Sequence, residues 1–180
     1  MKIIKTSIPQ DSSLYTNRSE YSYADSYEGI INDKYSKVDI VAVAKAFLKP
    51  GPKWVDYLFA LRNKIVSLFG LKTPNGSGKQ DTYKFEPGER VGIFRVFSRT
   101  DSEIILGEDD KHLNFRVSLF LNTPNTNQAA KGVTVTTIVV FNSWFGRLYF
   151  LPVKSFHKFI VRTSLKKNLH ALALEVNSGK

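Results

Sequence analysis

The densest run of residues that could do chemistry is GEDDKHL, in which three consecutive acids precede a lysine and a histidine. A carboxylate beside an imidazole can orient a general base, clamp a ligand or pair with a cation. Three interpretations are therefore open: a reaction centre, a ligand clamp, or a structural knot at the end of a hairpin. The candidate site residues in this run are Asp109, Asp110 and His112.

The residues that follow alternate between apolar and polar side chains, which is the period of a strand. Leu113, Phe115 and Val117 share one face of this strand, and His112 and Arg116 share the other. The polar face either meets water or lines a cavity. In the second case His112 and Arg116 would contact a ligand.

Two further ionisable residues fall within apolar helix faces. In the helix predicted at 53–69, Arg62 lies inside the apolar arc, where it either reaches water, pairs with a carboxylate or captures an anionic ligand. In the predicted C-terminal helix, His157 lies between Ile160 and Val161 on the apolar side. It is either a hydrogen-bonded core histidine or a ligand donor and general base.

Charge is distributed unevenly along the chain, whose net charge of +10 favours anionic partners. Between Asp110 and Glu175 there is no acid, whereas nine lysines and arginines occur there. Because the later cations lack acids nearby in sequence, the acids of GEDDKHL are expected chiefly as partners for Arg62 or Arg147, and one of them could instead pair with His112. A basic helix face is either solvated or contacts an anionic surface. It consists of Lys154, Lys158, Arg162 and Lys166, spaced four residues apart.

Residue types that the chain lacks exclude several classes of site. Without cysteine there are no disulfides, thiolate nucleophiles or thiolate zinc sites. The three histidines have no metal-binding spacing, and the NGSGKQD loop departs from the phosphate-loop pattern, so neither a metal nor a cofactor is predicted. Nucleic-acid binding is not favoured, because no recognition module is present and Phe156 and Phe159 are interpreted as core residues. No apolar run approaches the roughly 18 residues of a membrane span, which predicts a soluble, cytoplasmic protein.

The elements that must position these residues follow from periodicity. Residues 1–35 predict an irregular lead-in laid over the core, and residues 38–47 predict a strand. A helix at 53–69, four strands between 90 and 141, and a helix to about 172 with a break or kink at Pro152 follow. This order predicts one α+β domain over residues 1–180. Its curved antiparallel sheet would wrap around the C-terminal helix and leave a cavity.

Three stretches, PKWVDYLFALRNKIVSLFGLK, IILGEDDKHLNFRVSL and FGRLYFLPVKSFHK, resemble a bacterial family of unknown function across residues 54–165. Domains of that family also occur fused behind short-chain-dehydrogenase-like NAD-binding domains. They look like the helix-grip superfamily of START and pollen-allergen-like proteins, which implies an apolar ligand or cyclase, dehydratase or hydrolase chemistry. The resemblance marks five motif members without assigning them roles: Arg62, Asp110, His112, Arg147 and His157. We expect no NAD-binding partner domain in this chain, which leaves a redox link open.

These observations favour a binding module for a small hydrophobic, amphipathic or anionic molecule, held in a cavity between the sheet and the C-terminal helix. An alternative is a cavity enzyme with His157 or His112 as general base, oriented by Asp109 or Asp110. A third hypothesis is attachment of the basic helix face to an anionic surface. The oligomeric state does not follow from the sequence.

Overall fold

Seven strands form one antiparallel sheet in the computed structural model of the chain, which describes residues 1–49, 83–92, 94–124 and 129–178. The strands are β1 (Ile3–Thr6), β2 (Tyr23–Asn32), β3 (Arg90–Val91), β4 (Phe94–Arg99), β5 (Glu103–Asp109), β6 (Leu113–Asn122) and β7 (Ala130–Phe141). The helices within these residues are α1 (Ile40–Leu48) and α2 (Trp144–Asn177). The strand order is β1-β2-β7-β6-β5-β4-β3, so the predicted α+β class with a long C-terminal helix is confirmed. The helix predicted at 53–69, with Arg62, lies outside the described residues.

The prediction of an irregular lead-in over residues 1–35 is wrong in part, because this segment contains β1 and β2. β2 pairs with β7 along its whole length and with β1 on its other side. Tyr23, Asp25, Tyr27 and Ile31 alternate on its helix-facing side, but the phenols and the carboxylate hide this period from a hydropathy pattern. Residues 7–22 do form turns that lie over the sheet, as expected.

α1 shows that the strand predicted at 38–47 is wrong. Asp39 caps the helix, because its carboxylate accepts a hydrogen bond from the Ala42 amide at 2.7 Å. Ile40, Val43 and Ala44 are buried at helical spacing in the core. A short run of alternating β-branched residues fits either period, and here packing against α2 and β6 favours the helix.

The four strands predicted between residues 90 and 141 are confirmed, with the first divided into β3 and β4. β5, β6 and β7 form consecutive antiparallel ladders in unbroken register. Val117 and Leu119 of β6 belong to the core that the helices cover, whereas Ser118 faces the opposite side of the sheet. The alternation predicted for β6 is therefore confirmed. Successive side chains point to opposite faces of the sheet, and both faces are partly covered.

Ser143 caps the N-terminus of α2, because its hydroxyl accepts a hydrogen bond from the Gly146 amide at 3.3 Å. α2 runs through Pro152 without ending there, and it extends to Asn177, beyond the predicted end near residue 172. Phe156 and Phe159 are exposed, so their interpretation as core residues is wrong. Neither described helix combines the length and the apolar character needed to cross a membrane.

The sheet carries an apolar layer on each face. The larger layer lies under the two helices, with Leu165, Leu169 and Leu172 of α2 packed against the sheet. The smaller layer lies under residues 7–22, where Leu14 packs on Ile105 and Ile138. Both helices and the N-terminal turns are therefore held by apolar contacts to one sheet.

Candidate functional site

The GEDDKHL run forms the turn between β5 and β6 and holds the start of α2. Asp110 accepts a hydrogen bond from the backbone amide of His112 at 2.9 Å, and the His112 ring nitrogen Nδ1 lies 3.0 Å from the Ser143 hydroxyl. Asn142 donates from Nδ2 to the Asp110 carbonyl at 2.7 Å. Gly146 is packed so closely on the His112 carbonyl that a Cβ atom would overlap it. The structural-knot interpretation describes these contacts best, because they link one turn to a helix N-terminus.

Asp109 and Arg116 form an ion pair of 2.8 Å between β5 and β6. The Arg116 guanidinium carbon lies 3.5 Å from the centre of the Phe97 ring, on the sheet face away from the helices. Arg147 is exposed on α2 and has no ion-pair partner among the described residues. The expected pairing of Asp109 with Arg147 therefore does not form in this structure, and the pairing with Arg62 lies outside the described residues.

His157 contacts Asp25, an acid that was not among the site residues predicted from the sequence. Its Nε2 lies 3.3 Å from Asp25 Oδ1, and the Tyr23 hydroxyl donates to Asp25 Oδ2 at 2.5 Å. The Asp25 side chain is 2% exposed and that of His157 is 20% exposed. We call these three residues the Asp25 cluster; they join β2 to the first half of α2.

Burial and the neighbouring Asp25 carboxylate both raise the pKa of the Tyr23 phenol. Burial raises its pKa well above its usual value of 10.0, and the hydrogen bond to Asp25 and the charge of that carboxylate raise the pKa further. Phe150 packs edge-on against the ring, and the Lys154 ammonium lies 5.3 Å from the ring centre. Tyr23 is therefore a hydrogen-bond donor throughout the physiological pH range, not a proton acceptor.

The Asp25 cluster contains the parts of an oriented acid–base group. A carboxylate that contacts an imidazole fixes the orientation of the ring. The Asp25 carboxylate itself is almost fully buried and is contacted by both Tyr23 and His157. His157, with one fifth of its side chain exposed, is thus the member of the cluster that could exchange a proton with a substrate.

A groove of about 460 Å³ opens beside β2. β1 pairs with β2 only up to Ser26, so the adjacent backbone edge of residues 23–25 has no partner on that side among the described strands. The groove lies between this edge and the turns that follow β1. Its lining consists of Lys5, Thr6, Ser7, Ile8, Gln10, Tyr15, Arg18, Ala24, Asp25 and Ser26. In the interior, by contrast, the gap between Val43, Leu119 and Leu169 holds about 10 Å³.

Tyr23, Asp25 and the groove were not among the sequence candidates, because all of them fall in the predicted lead-in. The alternation of Tyr23, Asp25, Tyr27 and Ile31 is the signal that would have revealed a strand with an acid on its apolar face. No cluster of three potential metal-binding side chains occurs among residues 1–49, 83–92, 94–124 and 129–178. The prediction of no metal stays a prediction.

Comparison with known proteins gives one match. Searches of curated proteins and of solved structures each find no similar protein. A family model described as protein of unknown function DUF2867 matches residues 18–164, which include β2, both helices' starts, the GEDDKHL turn and the Asp25 cluster. Because this match spans most of the chain, the protein belongs to the DUF2867 family.

Proposed function

We propose that the protein binds a small amphipathic molecule with an anionic group, such as a carboxylate, in the groove beside β2. The observation that carries the proposal is the size and lining of this groove, whose volume of about 460 Å³ suits a small ligand. The helix-grip and START-like character implied by the sequence resemblance belongs to the same proposal. An antiparallel sheet crossed by a C-terminal helix supports it.

The charge of the groove favours an anion. Lys5 and Arg18 are exposed there, and Lys5 has no hydrogen-bond or ion-pair partner within the described parts of the chain. Asp25 is the one acid in the lining, and its carboxylate is occupied by Tyr23 and His157. The groove therefore offers two cations without an accessible carboxylate to neutralise them.

The remaining lining favours a ligand with a short apolar part. Ile8, Tyr15 and Ala24 supply apolar surface, while Ser7 and Gln10 can hydrogen bond a polar head group. The interior gap under α2, at about 10 Å³, has room for roughly one water among the residues described. We therefore locate the ligand in the groove and not in the expected space between the sheet and α2.

Titration with three probes tests the proposal by calorimetry or NMR. Octanoate carries both a carboxylate and a chain, octanol carries the chain alone, and inorganic phosphate carries charge alone. We expect octanoate to bind at least about tenfold more tightly than either partial probe, because charge and apolar contact act together. Equal affinity for octanol and octanoate would contradict an anion site.

A pair of variants locates the binding. Lys5→Gln/Arg18→Gln should weaken octanoate binding by about tenfold or more, since each substitution removes a charge-assisted contact. Lys34→Gln/Lys111→Gln removes the same charge from exposed positions outside the groove and should change the affinity less than about twofold. An equal loss in both variants would show that net charge, not the groove, attracts the ligand.

A hydrolase with His157 as general base is a second candidate, and the 3.3 Å contact between His157 and Asp25 favours it. His157 does not line the groove, so a substrate would approach it from the helix side. We expect hydrolysis of p-nitrophenyl octanoate to be lost in His157→Gln and retained in His170→Gln, which alters an exposed histidine of α2. Equal rates in both variants and in free imidazole would exclude this chemistry.

A further inference from the structure

The first half of α2 carries an apolar stripe that faces solvent. Trp144, Leu148, Leu151 and Phe156 are 75%, 54%, 65% and 54% exposed, respectively. Trp144, Leu148 and Leu151 lie within about 60° of one another around the helix axis, and Phe156 lies at one border of this face, so the four occupy one half of the helix surface along about 18 Å of its axis. The opposite side of this half is anchored by Phe150, buried against Tyr23, and by His157, bonded to Asp25.

A row of cations borders this stripe. Arg147, Lys154 and Lys158 lie along one flank, and Arg162 and Lys166 continue past its end, at helical intervals of four and seven residues. None of them has an ion-pair partner among the described residues. Glu175 is the one acid in α2, and it pairs with Lys49 at the far end of the helix. The exposed surface of the first half of α2 therefore combines apolar side chains with cations that no described acid neutralises.

We propose that the first half of α2 is an interfacial surface for membranes that contain anionic lipid. A helix lies in the headgroup region when an aromatic and leucine-rich face is flanked by lysines and arginines, because the apolar face enters the acyl boundary while the cations meet lipid phosphates. In α2 the stripe supplies the apolar face and the row supplies the flanking cations, and both lie on one helix that is anchored to the sheet. Peripheral attachment needs no spanning segment.

Two other occupants fit less well. A second copy of the chain meeting the stripe across a two-fold axis would bring two rows of cations together without acids to separate them. A nucleic acid would satisfy the cations but leave leucines and a phenylalanine in water, and it offers them no apolar partner. An anionic bilayer is the partner whose chemistry matches the stripe and the row together.

Vesicle binding tests this inference. Trp54→Phe leaves Trp144 as the single tryptophan, so its fluorescence reports on the stripe. We expect a blue shift and co-sedimentation with vesicles of equal parts phosphatidylglycerol and phosphatidylcholine, and neither with phosphatidylcholine alone. Binding should weaken steeply as salt rises. Binding to both vesicles alike, or to neither, would overturn the proposal.

Matched variants distinguish the contribution of the stripe to vesicle binding from the contributions of the row of cations and of the net charge. Leu148→Ser/Leu151→Ser should weaken vesicle binding at least about tenfold, whereas Ile30→Ser/Leu174→Ser, which alters exposed apolar residues elsewhere, should change it less than about twofold. Arg147→Gln/Lys158→Gln should also weaken binding about tenfold, and more than Lys34→Gln/Lys111→Gln, which removes the same charge from exposed positions outside α2.

Two results identify a different occupant and overturn the proposal. If Leu148→Ser/Leu151→Ser leaves vesicle binding unchanged while charge removal abolishes it, the row is a general polyanion contact. If the protein is a dimer that this leucine variant converts to a monomer, and no vesicle binding occurs, the stripe is an interface between copies. Circular dichroism of each variant confirms that α2 is retained, since the altered side chains are exposed.

Discussion

At the scale of single residues, Asp25 joins side chains from two elements through one buried carboxylate. Replacing it with alanine would leave the Tyr23 hydroxyl and the His157 ring without their acceptor in a buried site. We expect Asp25→Ala to lower the free energy of unfolding by about 2–4 kcal/mol. Urea denaturation of Asp25→Ala, His157→Ala and the double variant should give a coupling energy of about 1–2 kcal/mol.

The exposed Asp101→Ala provides the control for this cycle and should change stability by less than about 0.5 kcal/mol. Additive effects of the Asp25 and His157 substitutions would show that their contact contributes nothing to the fold. It would then be free to serve ligand binding or proton transfer alone.

Tyr23 makes the stability of the fold sensitive to alkaline pH. Because burial and Asp25 raise its pKa in the folded protein, the folded state keeps the phenolic proton when the unfolded chain releases it. The contribution of Tyr23 is fully present below about pH 10 and is lost as pH rises above that value. Urea denaturation from neutral to alkaline pH should show this loss, and Tyr23→Phe should make it shallower.

Some alkaline loss should remain in Tyr23→Phe, because burial also raises the pKa of Tyr21 and Tyr27. An unchanged slope in Tyr23→Phe would mean that the phenol ionises at the same pH in the folded and unfolded chain. That result would contradict a buried hydrogen bond to Asp25.

At the scale of elements, the start of α2 depends on its close approach to the β5–β6 turn. Gly146→Ala would improve helix propensity by about 1 kcal/mol in an isolated helix, but here the new Cβ overlaps the His112 carbonyl. We expect a net loss of about 1–3 kcal/mol in thermal or urea denaturation, because backbone must move. The exposed Ser155→Ala in the same helix should instead stabilise slightly. Equal stability of Gly146→Ala and the wild type would disprove this contact.

At the scale of the whole molecule, the sheet is covered by two layers that are held by different means. The helix side is a large apolar core, whereas residues 7–22 are held by a small cluster around Leu14 and by Glu103. Glu103 is buried and accepts hydrogen bonds from Ser12, Ser13 and Ser118, three hydroxyls that offset its desolvation. The two layers should therefore open independently.

Leu14→Ala tests this independence. Hydrogen exchange should accelerate in residues 7–22 while the amides of β6 and β7 keep their protection, because Leu14 packs only on one face of the sheet and on Ile8 and Tyr21 of its own segment. The cost should be about 2–4 kcal/mol for the opening of that segment. Uniform acceleration across the sheet would show instead that both layers unfold together.

Prediction from the sequence succeeded where periodicity and burial agree. β5, β6 and β7 alternate strongly and lie in the middle of the sheet, so pattern and position point to the same structure. It failed for β2 and α1, where tyrosines and an aspartate occupy a buried face and a short β-branched run fits two periods. The same limit applies to the candidate site. The turn residues are neighbours in sequence and contact one another, whereas Asp25, the partner of His157, is 132 positions away in the chain.

The order of residues was enough to establish a cysteine-free, basic α+β chain with a long C-terminal helix, because composition and period are local properties that need no partner. It also marked the acid-free stretch that supplies most of α2. Only the folded arrangement decided that Asp25 meets His157, that GEDDKHL holds a helix start, and that Trp144, Leu148, Leu151 and Phe156 face solvent. Those outcomes depend on which strands become neighbours and which side of a helix the sheet covers, and no local pattern contains that information.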